Sequence, residues 1–577
     1  MFNRYFQQEL ANLKELGEDF SKAHPAVAPM LRGPTVDPDA ERLLEGVAFL
    51  TALLRQKLDD EFPEIVHELV RLIWPHYLRP IPSASIVTFR PKPTLKETMT
   101  IPAGIHIASI PVEGTSCIFQ TCYSVDIHSL DLSGAALVEP AGRPAAIKLK
   151  LTLMDIKLAD WQPQKLRFFL AGDYSVAADI YLLLTRYLKQ IIISVPDSKQ
   201  PLLLTPDHLR PVGFSNNQSL IPYPGNSFPG YRILQEYFFL PEKFLFLDLV
   251  GWEHWLNRGE GNRFEVTFEL EDLPFSPPRV KADNFVLSAT PVINVFPHDA
   301  DPIRLDHRKT EYLVRPTGGK PSHYQVYSLE KVVGFIQGTA QERVYVPFEV
   351  FNPELESNPV YQVNLRGSPV HAGFDVYLSV AYPQKAGSPA PETLSIQLQC
   401  TNGFLPERIQ LGDISLPTSS TPEFVDFKNI RTPTPNVLPP LGSNLLWRLL
   451  SHLSLNYVML AKAEDLRALL DLYVFEAGRD RSAILANKKR IAGIEQVETG
   501  ASNRLASGVM MRGREIRINM RQDHFASQGD MFLFGCVLDH FLGSYASMNS
   551  YTRLSIKEVI KGELYQWPVR IGDQPLV

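Results

Sequence analysis

The sequence has little cysteine, and this scarcity limits its redox and metal chemistry. Four cysteines in 577 residues are too few for a disulfide framework. Cys117 and Cys122 lack the spacing and the companion pair of a zinc site. This usage fits a reducing cytoplasm, and we expect neither a structural disulfide nor a metal site.

Long apolar runs are also missing. The N-terminal stretch MFNRYFQQEL has no apolar signal core, and the most apolar later run, from Ile180, is interrupted by Arg186 and Lys189. We therefore expect no secretory signal and no direct insertion into a membrane.

The familiar catalytic motifs do not occur. The chain has no G-x-S-x-G nucleophile elbow and no H-E-x-x-H metal motif, and the GGKP at Gly318 lacks the other residues of a phosphate-binding loop. His67 and His76 lie nine apart across a predicted helix break without a third ligand. The acidic run at 59–64 fits a solvated helix end. We expect no catalytic residues, no metal and no cofactor.

Charge is unevenly distributed along the chain. The net charge is −6, so the chain as a whole is not an electrostatic binder of nucleic acid. Residues 479–521 carry ten Lys or Arg and four Asp or Glu, whereas residues 1–80 carry nine and thirteen. The basic stretch is either a solvated face or a contact for an acidic protein partner.

Length and proline content indicate several domains with a β-rich middle. The 577 residues exceed the usual size of one core, and many of the 47 prolines lie between residues 75 and 440, where they mark strand ends and turns. We predict an α+β, multi-domain fold with a sandwich-like β-rich middle. The predicted regions are an N-terminal helical region (1–82), a β-rich domain with a helix (83–305), a second β-rich domain (306–440) and a C-terminal α+β region (441–577).

The stretch from Asp37 to Glu64 has a well-defined helix signal. Asp37 is suited to the N-cap, and Pro38 to the first helical position. Apolar residues then recur three and four apart, which predicts one continuous stripe: Leu43, Val47, Leu50, Leu54 and Leu58. Because exposed apolar surface costs about 25 cal/mol per Å², we expect this stripe to be buried against the same chain or a partner.

Proline also sets the limits of the N-terminal helices. Pro63 is predicted to end the second helix or begin a third, which runs to about Trp74, and a first helix is predicted over residues 2–23. Further helices are predicted over 173–189, 445–460 and 464–475, and a strand over 513–525. The proline-rich segment 431–444 is predicted to be a linker or loop.

A C-terminal helix is predicted to begin after Gly529 and Asp530. Its large apolar residues are Phe532, Phe534, Leu538 and Phe541. Phe534 lies well round the helix from Phe541, so we expect that one core face does not bury them all. These side chains are either core or, in part, an aromatic surface for another subunit.

Three stretches together resemble one known family. They are RYFQQELANLKELGEDFSKAHPAVAPML from Arg4, the block from Asp37 to Ser83, and FASQGDMFLFGCVLDHFLGSYASMNSYTRL from Phe525. The resemblance, which runs from the first residues to the last, is to TssF (also VasA or ImpG), a baseplate subunit of type VI secretion systems. Departures are small: Gln7 and Gln8 replace charged residues, and Cys536 replaces a small polar one.

The resemblance implies a non-enzymatic wedge component of a cytoplasmic baseplate docked at the inner-membrane complex. It implies two copies of this chain with one TssG, joined by TssK and TssE, around a VgrG hub in the baseplate from which a contractile sheath and tube are built. The helices with the apolar stripe and the C-terminal aromatic residues would then bind TssG or the second copy. Two alternatives stay open: a wedge protein of a contractile phage tail, and a polymer-acting enzyme on the β-rich middle.

Overall fold

The computed structural model describes most of the chain and divides it into two compact units. The described residues are 2–23, 38–95, 97–139, 142, 144–154, 156–196, 200–223, 228–336, 341–348, 359–369, 373–382, 391–441, 462–475, 481–506, 509–548 and 550–572. The first unit comprises residues 1–74 with 440–449, and the second comprises residues 75–439 with 450–577.

The described part of the first unit consists of two helices, whereas the sequence predicts three. Helix α1 spans Phe2–Ala23 and helix α2 spans Pro38–Ile73. They pack against each other, and Lys14 of α1 forms a 3.2 Å ion pair with Glu41 of α2. Residues 24–37, which connect them, lie outside the described part of the chain.

The predicted break at Pro63 is wrong, because α2 is one helix of 36 residues that continues through this proline. Proline removes one backbone hydrogen bond and crowds the carbonyl of the residue four before it. The helix retains its bonds on both sides of that position, and a single missing bond in so long a helix is tolerated.

The second unit contains the remaining helices and the sheets. Its described α-helices are α3 (Tyr174–Arg186), α4 (Pro229–Phe239), α5 (Ala463–Asp471), α6 (Arg481–Ala492) and α7 (Gln528–Gly543). Its strands from 84 to 305 are β1 (Ala84–Pro91), β2 (Met99–Ile101), β3 (His106–Val112), β4 (Thr115–Thr121), β5 (Val125–Ile127), β6 (Leu130–Val138), β7 (Ala146–Leu153), β8 (Lys165–Leu170), β9 (Leu188–Ser194), β10 (Leu202–Leu204), β11 (Leu209–Val212), β12 (Phe246–Val250), β13 (Arg263–Leu270), β14 (Phe285–Leu287), β15 (Ala289–Ile293), β16 (Phe296–Asp299) and β17 (Ile303–Leu305). The later strands are β18 (Tyr312–Val314), β19 (Gln325–Ile336), β20 (Glu342–Pro347), β21 (Val360–Gly367), β22 (Phe374–Ala381), β23 (Glu392–Thr401), β24 (Ile414–Pro417), β25 (Val425–Asn429), β26 (Ile494–Ala506), β27 (Val509–Met520), β28 (Ser550–Glu558), β29 (Leu564–Gln566) and β30 (Arg570–Ile571).

These strands form mainly antiparallel sheets, which confirms the mixed α+β class and the β-rich middle. Their orders are β24-β3-β4-β15-β1-β25, β10-β9-β13-β7-β6, β11-β12-β8-β14, β16-β23-β19-β20-β21-β22-β18 with β17 on β23, β2-β5, and β26-β27-β28-β29 with β30 on β28. The first sheet combines strands from both predicted β-rich domains, because β24 and β25 return to pair with β3 and β1. The predicted division into four regions remains a prediction.

The core of the first sheet follows the period-two pattern of its strands. Alternate apolar side chains point to the same face and are removed from water together. The buried cluster includes Val87, Phe89, Ile107, Phe119, Val292 and Phe427. Cys117 belongs to the same cluster, and all four cysteines are free in the structure.

Several other predicted elements can be compared with the structure. The helix over 173–189 and the C-terminal helix are confirmed as α3 and α7, whereas the helix over 445–460 lies outside the described residues. The described part of the proline-rich segment is a fixed loop: Val437 and Ile81 exchange backbone hydrogen bonds of 2.9 Å. Within the described part of the chain, no helix has the length and hydropathy to cross a membrane.

Helix α7 is almost entirely buried within the second unit and packs against α3, α4 and β28. Glycines let its neighbours approach closely. A Cβ atom at Gly529 would overlap the carbonyl group of Ala178 in α3, and one at Gly535 would overlap the ring of Trp567. The close contact between α3 and α7 therefore requires glycine at position 529.

We expect Gly529→Ala to lower the free energy of unfolding by about 1–3 kcal/mol, because the added methyl group must push α7 away from α3. Urea denaturation followed by tryptophan fluorescence measures the change. Gly134→Ala is the matched control, since a Cβ atom there meets no atom within 4 Å. Equal midpoints for both variants would contradict this description of the packing.

Candidate functional site

The outer side of α2 carries large apolar residues that the chain leaves exposed. The exposed fractions are 70% for Leu43, 43% for Val47, 62% for Leu50 and 63% for Leu54. We call these four residues the α2 apolar surface. The side chain of Leu58, which extends the predicted stripe, lies outside the described part of the chain.

Alanines occupy buried positions of the same helix. Ala48 and Ala52 are fully buried, and they lie four residues apart on one face. The larger side chains at Leu50 and Leu54 belong to another face. The predicted stripe is therefore a real surface, but the described chain does not bury it.

Neighbouring residues enlarge the exposed apolar area of the first unit. Phe49 and Leu53 of α2 are also exposed, as are Leu16 and Phe20 of α1. Soluble monomers rarely expose contiguous apolar patches larger than a few hundred Å². So many exposed apolar side chains on two helices are typical of a surface that another protein covers.

The C-terminal aromatic residues have the opposite environment. Phe532, Phe534, Leu538 and Phe541 are all buried, and the last three have no exposed surface. The expectation that part of this helix meets another subunit is therefore wrong. It assumed that α7 contacts one core face, whereas α3, α4 and β28 cover it from several sides.

Ring contacts show which neighbours enclose α7. The ring of Phe534 lies 5.4 Å from that of Tyr237 and 5.7 Å from that of Phe525, measured between centroids. On another side, Phe532 stacks on Trp567 at 5.5 Å. Helical periodicity predicted the spacing of these residues but not the rings that enclose them, and one of these, Tyr237, lies almost 300 residues away in the sequence.

The charged groups around α7 are also internal. Asp530, at the start of the helix, is fully buried and accepts hydrogen bonds from Arg490 Nε at 2.9 Å and from the Tyr174 hydroxyl at 2.8 Å. At the other end, Asp539 pairs with Arg570, and burial raises the pKa of Asp539 to about 6, although Arg570 opposes the shift. These pairs tie elements together inside the fold.

The buried histidine His76 has a structural environment. Burial lowers its pKa to about 3, and the positive charge of Arg79 adds to the effect. Its Nδ1 atom lies 3.0 Å from the Tyr223 hydroxyl, and its ring stacks on Tyr473. Among the described residues, no group of three His, Cys, Asp or Glu side chains is placed to hold a metal ion.

A cleft of about 980 Å³ lies beside β1, β6 and β14. Its ionisable lining residues other than His128 are Arg90, Asp131, Asp173, Arg279, Lys281, Asp283, Lys428 and Arg431. Cations outnumber carboxylates in this lining by five to three, whereas a glycoside hydrolase acts through a pair of carboxylates. The cleft therefore adds no support to the enzyme alternative.

An uncovered apolar helical surface on a large α+β chain is typical of an assembly subunit, which acts through contacts with other proteins. Comparison with known families agrees with this class. The family model for the type VI secretion system protein TssF matches residues 1–574. The chain therefore belongs to the TssF family, as its sequence predicts.

Individual relatives agree with the family. The chain is 29% identical to the type VI secretion system component TssF1 of Pseudomonas aeruginosa, over 99% of this chain and 98% of the relative. Its structure is similar to a chain of a TssK-TssF-TssG baseplate subcomplex solved by cryo-electron microscopy, with a TM-score of 0.76, 29% identity and coverage of 92% of this chain and 99% of that chain. A chain of a type VI secretion system baseplate complex matches with a TM-score of 0.59 and 26% identity over 100% of both chains.

We expect Phe534→Ala to lower the free energy of unfolding by about 3–5 kcal/mol, since it leaves a cavity at a site with no exposed surface. Chemical denaturation of the full chain tests this. Phe348→Ala, at a side chain that is 63% exposed, should change stability by less than about 0.5 kcal/mol. A Phe534→Ala variant as stable as the parent would show that this side chain does not belong to the core.

Proposed function

We propose that this chain is a structural, non-catalytic subunit of a type VI secretion baseplate wedge. In this proposal two copies join one TssG, and the wedge also contains TssK and TssE around a VgrG hub. The wedges support the sheath and tube, and the assembly docks from the cytoplasm at the inner-membrane complex. Family membership and the similarity to a chain of a TssK-TssF-TssG subcomplex support this role.

The exposed α2 apolar surface is the observation that carries the proposal. Burial of one Leu or Val side chain contributes about 1.5–3 kcal/mol. Four such residues on one helix can therefore supply most of the energy of a specific interface, because a few central residues usually dominate binding. TssG is the proposed partner for this surface, and the second copy of the chain is the alternative.

The geometry of α2 favours a helical partner. Leu43, Val47, Leu50 and Leu54 follow the three- and four-residue spacing of one helical face. An apolar helix laid along such a face can pack its own side chains between them, as in helical bundles.

We expect Leu50→Asp or Leu54→Asp to abolish complex formation while leaving the chain folded. Both side chains are exposed in the chain itself, so the charge costs little there, but an apolar interface would bury it without a partner. Co-expression with TssG followed by native mass spectrometry measures the result. The parent should give two copies of this chain with one TssG, and the variants should bind TssG at least about 100-fold more weakly.

Leu256→Asp provides the matched control for these variants. Leu256 is 87% exposed and lies in the second unit, so the same substitution there should leave both folding and TssG binding unchanged. If Leu50→Asp and Leu54→Asp assemble as well as Leu256→Asp, the α2 apolar surface is not the interface.

A further inference from the structure

Strand β26 lies at one end of its sheet, and no described strand pairs with its outer edge. The sheet order is β26-β27-β28-β29, so β26 has a partner on one side only. Strand β27 pairs with β28 from Arg512 onward, and the β26–β27 hairpin continues beyond that point as two strands. This edge presents backbone donors and acceptors that another strand can pair with.

The middle of β26 lacks the usual protection of an edge strand. Thr499 to Asn503 read TGASN, without a charged residue or a proline, and most of these residues are exposed. The register irregularity in β26 lies near its start, between Ile494 and Gln496. A Cβ atom at Gly500 would meet no atom within 4 Å. Proteins usually block such edges with charges, prolines or bulges, so an unblocked stretch of this length suits strand addition.

The charges that flank this stretch are self-complementary. Glu498 and Arg504 lie three residues before and three residues after Ala501, and both are exposed. If a second β26 pairs antiparallel with Ala501 opposite Ala501, each Glu498 lies opposite the Arg504 of the other copy. Opposite charges at directly opposed positions stabilise a strand pair, whereas like charges destabilise it. A slip of two residues in either direction separates both pairs.

The same register also covers apolar surface. Leu505 and Met510 oppose each other near the end of the hairpin and are 66% and 65% exposed. In the symmetric pairing, Leu505 lies opposite Val497 of the other copy, and Ser502 lies opposite Gly500. The small residues in the middle let the two backbones approach without steric conflict.

We propose that β26 is a homotypic edge, through which a second copy of this chain adds antiparallel to form a continuous sheet across the two copies. Self-complementary charge about Ala501 favours a second copy over an unrelated acidic strand. The inference concerns contact between copies and does not depend on the proposed TssG contact of α2.

A cysteine at the symmetry point tests the register. In the pairing proposed, the two Ala501 Cβ atoms lie about 4.5–5.5 Å apart, close enough for a disulfide after a small adjustment. Full-length Ala501→Cys should form a covalent dimer under mild oxidation. The parent should not, because Cys117, Cys400 and Cys536 are buried and Cys122 is partly buried.

Two neighbouring cysteines control for random collision. Asn503→Cys alone should not crosslink, since Thr499 lies opposite it, but a mixture of Thr499→Cys and Asn503→Cys chains should crosslink to each other. Equal dimer yields for Asn503→Cys alone and Ala501→Cys would overturn the register. Crosslinking of Ala501→Cys only to another protein in the co-expressed complex would replace the second copy with that partner.

Charge exchange provides a second, independent test. Glu498→Arg or Arg504→Glu alone places like charges opposite each other and should raise the self-association Kd about tenfold or more, measured by analytical ultracentrifugation. The double variant should recover the parent value. A monomer at high concentration, or single variants that associate like the parent, would overturn the proposal.

The test also separates this contact from the proposed function. Leu50→Asp should leave the Ala501→Cys crosslink intact while it removes TssG binding. Absence of the crosslink in an Ala501→Cys variant that still binds TssG would refute the β26 contact alone.

Discussion

The packing of the second unit depends on the buried carboxylate of Asp530. Asp530 lies in the first turn of α7, and Ser527 caps the same helix by accepting a 3.2 Å hydrogen bond from the Asp530 backbone N–H. Arg490 of α6 and Tyr174 of α3 donate to the carboxylate itself. A buried charge is costly unless it is paired and hydrogen-bonded. Because these partners satisfy it, α7 can be enclosed at its charged end as well as along its aromatic sides, and three distant parts of the sequence meet at one point.

In the first unit the large apolar side chains are exposed instead of buried, and this difference bears on the function. In α7 the large aromatic residues are inside, whereas in α2 small alanines are buried and leucines are exposed. The leucine surface of the N-terminal helices therefore contributes little to the core of the chain itself. The exposed surface is therefore consistent with a subunit that reaches its lowest free energy only in a complex.

Local signals in the sequence predicted much of the fold. Most of what was missed depends on contacts between residues that are distant in the sequence. The capping residues and the apolar spacing of α2 placed its start and its stripe correctly, since both depend on neighbours within a turn or two. Pro63 misled because one lost hydrogen bond does not outweigh the rest of a long helix. Helical periodicity could not predict the burial of Phe534, because Tyr237 and Phe525 enclose it only after folding. The pairing of β25 with β1 likewise joins residues more than 300 positions apart.

Amide hydrogen exchange of α2 tests the central claim most directly. It should be measured over residues 43–54 in the free chain and in the complex with TssG. If the α2 apolar surface is the interface, exchange in this segment should slow at least about tenfold in the complex, because burial of the helix suppresses its local opening. Equal exchange rates in the free chain and in a complex of confirmed composition would contradict this function for the surface.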